Sequence, residues 1–269
     1  MHEDIQDIRI IDGNIADVVC CPGGKEIEGQ ELSGDLNKTL SWRRSMIEEG
    51  MTGFISYKGD DPRGFIEYMP GETAPFPVYA PNDMFLMCYH WIGDEGNHLG
   101  EERRLLGLMI EDVMDKFDGI AAMAWNHDVH FPIELLRTYG FEIVEEVEYG
   151  ALMWLPFTDD AESPSLIDVE FELIDSPQSG TLSVKQGYSS RCPYSIHNFN
   201  KVKGLIDEIG DDRIVYNSYQ IDTREQALKY CIEPLNWDWL YLNGVKIDSL
   251  FTSKEELKKD FIKMLDELD

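Results

Sequence analysis

Apolar and polar positions alternate along the chain in a way that divides it into two runs of elements. An opening apolar stretch at 5–11 reads as a strand closed by Asp12-Gly13-Asn14, and a shorter apolar stretch ends at Pro22-Gly23-Gly24. From Asp35 onward, Leu40, Trp42, Met46 and Ile47 fall at helical spacing, with Asp35 in N-cap position and Gly50 just past the end. Three strands are predicted next, at 52–57, 63–69 and 83–92, separated by Lys58-Gly59-Asp60-Asp61-Pro62 and by the Pro- and Gly-rich segment 70–81. The polar, glycine-bearing stretch 93–100 then leads to a helix over 101–117, whose Leu105, Leu106, Leu108, Met109, Val113 and Phe117 make a broad apolar face. A strand of small residues at 120–125, a helix opened by Pro132 and stopped by Gly140, and strands at 141–147 and 151–157 complete the first run.

The segment 158–164 is charged and carries Pro164, as an interdomain boundary does. The expected division is a domain over 1–157, a linker over 158–166 and a domain over 167–269. In the second domain, strands at 167–174 and 182–187 lead to Arg191-Cys192-Pro193-Tyr194-Ser195 and a helix reaching Gly210. A strand at 214–221, a helix at 224–231, a hairpin turning at Asn243-Gly244 and a closing helix at 254–268 follow.

Composition bounds what these elements build. With 269 residues, 43% of them hydrophobic, there is enough apolar surface for two cores. No apolar run reaches the ~20 residues that span a bilayer, and the acidic start Met1-His2-Glu3-Asp4 has no signal-peptide core, which places the chain in the cytoplasm. The net charge of −29 is spread over both halves. Such a surface repels nucleic acid and anionic membranes and favours cationic partners, and it equally serves as a solvated acidic shell. Five cysteines, at 20, 21, 88, 192 and 231, show neither a disulfide framework nor zinc-ligand spacing. His127 and His130 stand in i, i+3 spacing with no third ligand nearby, so no metal is expected.

The candidate chemistry concentrates in residues 82–118. A buried strand whose loop opens a helix presents unpaired N–H donors and a partial positive charge, the arrangement by which α/β proteins hold phosphate. Glu101 and Glu102 occupy the first helical turn, where acids stabilise a helix but oppose an anionic ligand.

The order strand, helix, three strands, helix, strand, helix, two strands, with a phosphate loop after the fourth strand, resembles the GNAT N-acetyltransferase superfamily. Arg63-Gly64-Phe65-Ile66-Glu67-Tyr68-Met69-Pro70-Gly71-Glu72 is similar to the third strand and turn of its YoaP-like subgroup, which carries a C-terminal thioredoxin-like domain. Tyr139-Gly140-Phe141-Glu142 resembles the close of the last GNAT helix. The implied fold class is α/β (α+β), a mixed GNAT sheet followed by a thioredoxin-like domain. The implied activity is acetyl transfer from acetyl-CoA, or another acyl-CoA, to an amine by direct attack in a ternary complex. The acceptor is expected to be a small-molecule or peptide amine of cationic character, and self-association is left open.

The resemblance also implies site residues. Cys88, Tyr89, His90, Trp91 and Ile92 would contact pantetheine, and the loop from Asn97 through His98, Leu99 and Gly100 to Arg103 and Arg104 would hold the pyrophosphate. Of the family's loop glycines the chain keeps Gly100, with His98 and Glu102 at the flanking positions. Glu67 and Glu72 are candidate bases, Asn126 ends the fifth strand, and Leu136 stands where the family's acid tyrosine lies, leaving Tyr139 three residues further on as the nearest candidate. Cys192 at a helix start is a candidate reactive thiol, but Ser195 replaces the resolving cysteine and Asp238 replaces the usual proline. Two other readings stay open: a GNAT-like scaffold with little activity, and a monothiol oxidoreductase acting through Cys192.

Overall fold

The computed structural model describes residues 5–18, 26–27, 30–31, 33–91, 98–126, 132–173, 180–248 and 252–268. Seven strands make the larger sheet: β1 (Ile5–Arg9), β2 (Thr52–Lys58), β3 (Asp61–Pro70), β4 (Asp83–Trp91), β5 (Gly119–Trp125), β6 (Glu142–Val147) and β7 (Gly150–Pro156), in the order β1-β2-β3-β4-β5-β7-β6. All neighbours run antiparallel except β4 and β5. This one parallel pair needs a crossover, which α2 (His98–Val113) supplies, whereas the antiparallel pairs are joined by turns or short connections.

Two cores cover the two faces. On one, α2 and α3 (Ile133–Arg137) bury Leu105, Leu106, Met109, Leu135 and Leu136 against Ile66, Leu86, Tyr89, Ile120 and Ala122. On the other, α1 (Ser33–Glu48) sets Trp42 and Met46 among Met69, Phe85, Met87 and Met123. The small side chains Ala121, Ala122 and Ala124 allow this close approach from both sides of β5.

A second sheet of four strands contains β8 (Leu182–Tyr188), β9 (Ile214–Gln220), β10 (Leu240–Leu242) and β11 (Val245–Ile247) in the order β9-β8-β10-β11. β8 and β9 are parallel and are bridged by α4 (Pro193–Ile209), while β10 and β11 are antiparallel. Pro193 opens α4, and Gly210 closes it in the left-handed conformation at φ 63°. Capping boxes start α5 (Arg224–Tyr230), through Thr223 and Gln226, and α6 (Lys254–Asp266), through Ser253 and Glu256. Asn243 and Gly244 both take positive φ, 48° and 80°, as the type I′ turn requires.

Several element boundaries differ from the sequence expectation. The predicted strand at 167–174 is absent over the described residues 167–173; only Ser165–Leu166 pairs, with Val78–Tyr79 inside the expected loop. Beyond one backbone bond, from the Ile167 N–H to the Pro77 carbonyl at 2.8 Å, residues 167–173 are anchored by side chains, with Phe171 packed on Tyr219, Tyr230 and Trp239. The helix expected from 101 starts at His98 and ends at Val113.

The two sheets share a packed boundary. Leu235 and Trp237 join the α1-side core of the larger sheet. The Trp42 indole donates to the Asp222 carbonyl at 2.9 Å, and the Arg224 guanidinium donates to the carbonyls of Ala74 and Phe76.

Candidate active site

The pairing of β4 with β5 stops partway. Asp83 through Leu86 face Gly119 through Ala122, and among the described residues no ladder continues between Met87–Trp91 and Met123–Trp125. A bulge marks the parting: Glu67 faces Cys88 and Tyr68 faces Leu86, so Met87 is the extra residue in β4. Extra residues break the two-residue alternation. Met87 and Cys88 consequently both pack on the α1 side, and Tyr89 returns to the α2 side. The result is a gap between two parallel strands, bordered by strand backbone and followed in the chain by the start of a helix.

The implied pantetheine residues lie along this gap. Cys88 is half-buried, Tyr89 is buried under α2, and the His90 ring tilts against Phe65 at 6.3 Å between centroids. Trp91 ends the strand; Ile92 and Asn97, like the His127–His130 pair, lie outside the described residues. His98, Leu99 and Gly100 form the first turn of α2 rather than a loop ahead of it. The donors that the phosphate expectation needs then belong to the helix start itself, because first-turn N–H groups have no partner within the helix.

Arg104 is not available to phosphate as expected. Its guanidinium donates to Asp7 on β1 at 2.7 Å and to Ser56 at 3.3 Å, tying α2 to the sheet edge. Arg103 is exposed, and its backbone carbonyl accepts the Tyr139 hydroxyl. Tyr139 thus braces α3 against α2, and desolvation raises its pKa. Leu136 is fully buried in the α2-side core.

The candidate bases part company. Glu67 lies opposite Cys88 at the parting, but it is buried and held by Arg43 from α1, at 2.7 Å from Nε and 3.1 Å from Nη2. A carboxylate clamped by two charge-assisted bonds is a poor proton acceptor. Glu72 is exposed in the turn after β3, beyond the Pro70–Met84 pair. That is the closed end of the β4–β5 pair, away from the gap. Asn126 is exposed at the end of β5, on the rim of a cavity of about 290 Å³ lined by Trp125, Arg137 and Glu146.

On the α1 side, Leu235 and Trp237 from the second sheet's connections pack in the same core as Met87 and Met123. Cys192 is the N-cap of α4 without a side-chain capping hydrogen bond and is half-buried. Ser195 is fully buried: its hydroxyl donates to Asp238 at 2.6 Å and accepts the Ser189 N–H at 2.7 Å. Burial raises the Asp238 carboxyl to about 7 and the Cys231 thiol to about 12. Arg191, Trp237 and Phe76, none of them singled out from the sequence, meet beside this network. Their one sequence signal is the placement of Arg191 directly before Cys192-Pro193. Among the described residues no group of three or more His, Cys, Asp or Glu is arranged to hold a metal, and no helix is long and apolar enough to cross a membrane.

No protein-family model matches the chain. An uncharacterized N-acetyltransferase, YoaP, of Bacillus subtilis (strain 168) is 26% identical over 271 residues, spanning 97% of this chain and 98% of that one. Among solved structures, an acetyltransferase from Thermus thermophilus aligns with 57% of this chain and 97% of its own, at 17% identity and TM-score 0.41. A GNAT family acetyltransferase from Brucella melitensis, in complex with acetyl-CoA, aligns with 62% of this chain and 96% of its own, at 10% identity and TM-score 0.41.

Proposed function

We propose that the protein is an acetyl-CoA-dependent N-acetyltransferase that joins its acceptor by direct attack in a ternary complex. The observation that carries this reading is the parting of β4 from β5 at the Met87–Cys88 bulge, immediately ahead of the start of α2. The end-to-end similarity to an N-acetyltransferase of Bacillus subtilis supports it.

In this reading pantetheine lies in the gap against β4 backbone, and the pyrophosphate sits on the N–H groups of His98, Leu99 and Gly100. The amine nitrogen attacks the thioester carbonyl, the carbon–nitrogen bond forms and the carbon–sulfur bond breaks. The nitrogen gives up a proton, and the departing CoA thiolate takes one up. A β4 amide at the parting stabilises the developing oxyanion. Water accepts the amine proton, since Arg43 holds Glu67 and Glu72 stands at the closed end of the strands.

The second sheet is read as a thioredoxin-like module, within a division into 1–157, a linker 158–166 and 167–269. Its strand order, the parallel β8–β9 pair bridged by α4 and the antiparallel β10–β11 hairpin support that reading. With Ser195 locked to Asp238, the module serves to cover the acceptor side of the gap. Calorimetry with acetyl-CoA tests the main proposal: saturable binding is expected, and no heat at millimolar ligand would overturn it.

A further inference from the structure

Arg191 lies between β8 and α4 and is 6% exposed. Its guanidinium carbon sits 3.1 Å from the centroid of the Trp237 ring and 4.2 Å from that of Phe76. Nε, Nη1 and Nη2 are all buried, and none has a hydrogen-bond partner among the described residues. The Trp237 Nε1 is in the same condition. Burial lowers the Arg191 pKa to about 10, so the group is still a cation at neutral pH. The buried carboxylate beside it, Asp238, accepts from Ser195 and not from Arg191.

A buried guanidinium with unmade bonds is costly, and proteins ordinarily pair such a charge. Here the neighbouring orphan is a second donor, so the cluster offers N–H groups and lacks an acceptor. Two aromatic rings pack on the guanidinium carbon, and its N–H groups are what remains for a ligand to meet. Those groups match a carboxylate bidentately. One cation balances one carboxylate, whereas a phosphate dianion would leave a buried negative charge behind.

The position ties this cluster to the gap. Phe76 packs on Phe85 of β4 at 4.4 Å, and Phe85, Met87, Met123 and Trp237 share the α1-side core. Cys88, at the parting itself, is near enough to Arg191 for the two to interact electrostatically.

We propose that Arg191 and Trp237 hold a carboxylate of the acceptor, so that the substrate is an amine that also carries a carboxylate, as an amino acid does. This rests on the acetyltransferase reading above and amends the expectation of a purely cationic amine. The second sheet would then contribute acceptor specificity.

The test uses the full chain as wild type, Arg191→Met and Arg191→Lys. Binding is measured by calorimetry with the N-acetyl derivatives of the common amino acids and their matching carboxamides, and inorganic phosphate is a competing probe. Transfer is measured as CoA thiol release with the free amino acids and their amides. At least one acid should bind the wild type at least tenfold more tightly than its carboxamide, with that preference lost in Arg191→Met and partly kept in Arg191→Lys. Equal binding of acids and carboxamides, or binding of phosphate alone, overturns the carboxylate site. Carboxylate binding without transfer to any of these amines leaves the site standing and overturns its role as an acceptor subsite, while the acetyltransferase reading itself stands or falls on the acetyl-CoA calorimetry. Ligand-free Arg191→Met should melt no lower than wild type. A lower melting temperature restored by Arg191→Lys would make Arg191 a structural cation and overturn the proposal.

Discussion

Glu67→Gln separates a structural carboxylate from a catalytic one. Arg43 and Glu67 have side-chain exposures of 2% each and meet through contacts of 2.7 and 3.1 Å, so both charges are out of water. Neutralising one partner leaves the other buried and uncompensated, which costs about 3–5 kcal/mol. The expected result is a stability in urea lowered by that amount in both Glu67→Gln and Arg43→Met. The double variant Arg43→Met, Glu67→Leu should recover most of the loss, because replacing both charges with apolar groups is often neutral or stabilising. Acetyl transfer, measured at low temperature where the variant stays folded, should fall far less than the roughly 10²–10⁴-fold that removal of a general base costs. A Glu67→Gln protein of wild-type stability whose rate collapses, and whose pH profile loses its acidic limb, would refute the reasoning and restore Glu67 as the base.

Asp83 is 1% exposed; one oxygen accepts from the Trp154 indole at 3.3 Å and the other has no partner among the described residues. Burial raises its carboxyl to about 7, so the folded state binds more protons than the unfolded one between about pH 4 and pH 7. Stability from this group is therefore fully present below the unfolded pKa and is lost as pH rises through 7, by at most about 4 kcal/mol. Asp83→Asn should match wild type near pH 4 and exceed it at pH 8 in urea unfolding, and a variant weaker than wild type at pH 8 would sink this assignment. Cys192→Ser should keep acetyl-transfer activity, since serine is a competent N-cap and Ser195 is already committed to Asp238. Loss of transfer on that substitution, or its reversible loss on mild thiol oxidation of the wild type, would return Cys192 to the chemistry.

Most of the larger sheet was legible because its strands are long and bounded by glycine and proline, and because Leu105, Leu106, Met109 and Val113 repeat at helical spacing. The Asn243-Gly244 turn was legible for a local reason, the positive φ that both residues tolerate. What escaped depends on distant partners. A strand at 167–174 fits the apolar pattern, yet Phe171 spends its apolar surface on Tyr219, Tyr230 and Trp239, and no strand partner lies alongside among the described residues. Arg104 reads as a phosphate ligand by position in the loop, and only the packing of α2 over β1 turns it toward Asp7. The bulge at Met87 leaves no mark in the sequence at all, although it decides which side chains face the gap.

The two buried arginines show why composition alone could not locate the site. Arg43 and Arg191 are both among the most buried charged residues of the described chain, at 2% and 6% exposure. Composition distinguishes neither, since each is one cation in a chain of net charge −29, and only the place of Arg191 directly before Cys192-Pro193 sets it apart in the sequence. Arg43 is satisfied by Glu67 on β3, and its effect is internal: it fixes α1 on the sheet and withdraws Glu67 from proton transfer. Acidic residues abound in the chain, yet none of the described ones is bonded to Arg191. Its chain neighbours direct it onto Trp237 and Phe76, at the boundary where the second sheet meets the opened strands. An unmet charge is tolerated in a marginally stable protein where something offsets it in the working state. At this boundary the described residues supply no partner, and a carboxylate of the acceptor, as proposed, would make the second sheet part of the acceptor's binding site and not an appendage to it.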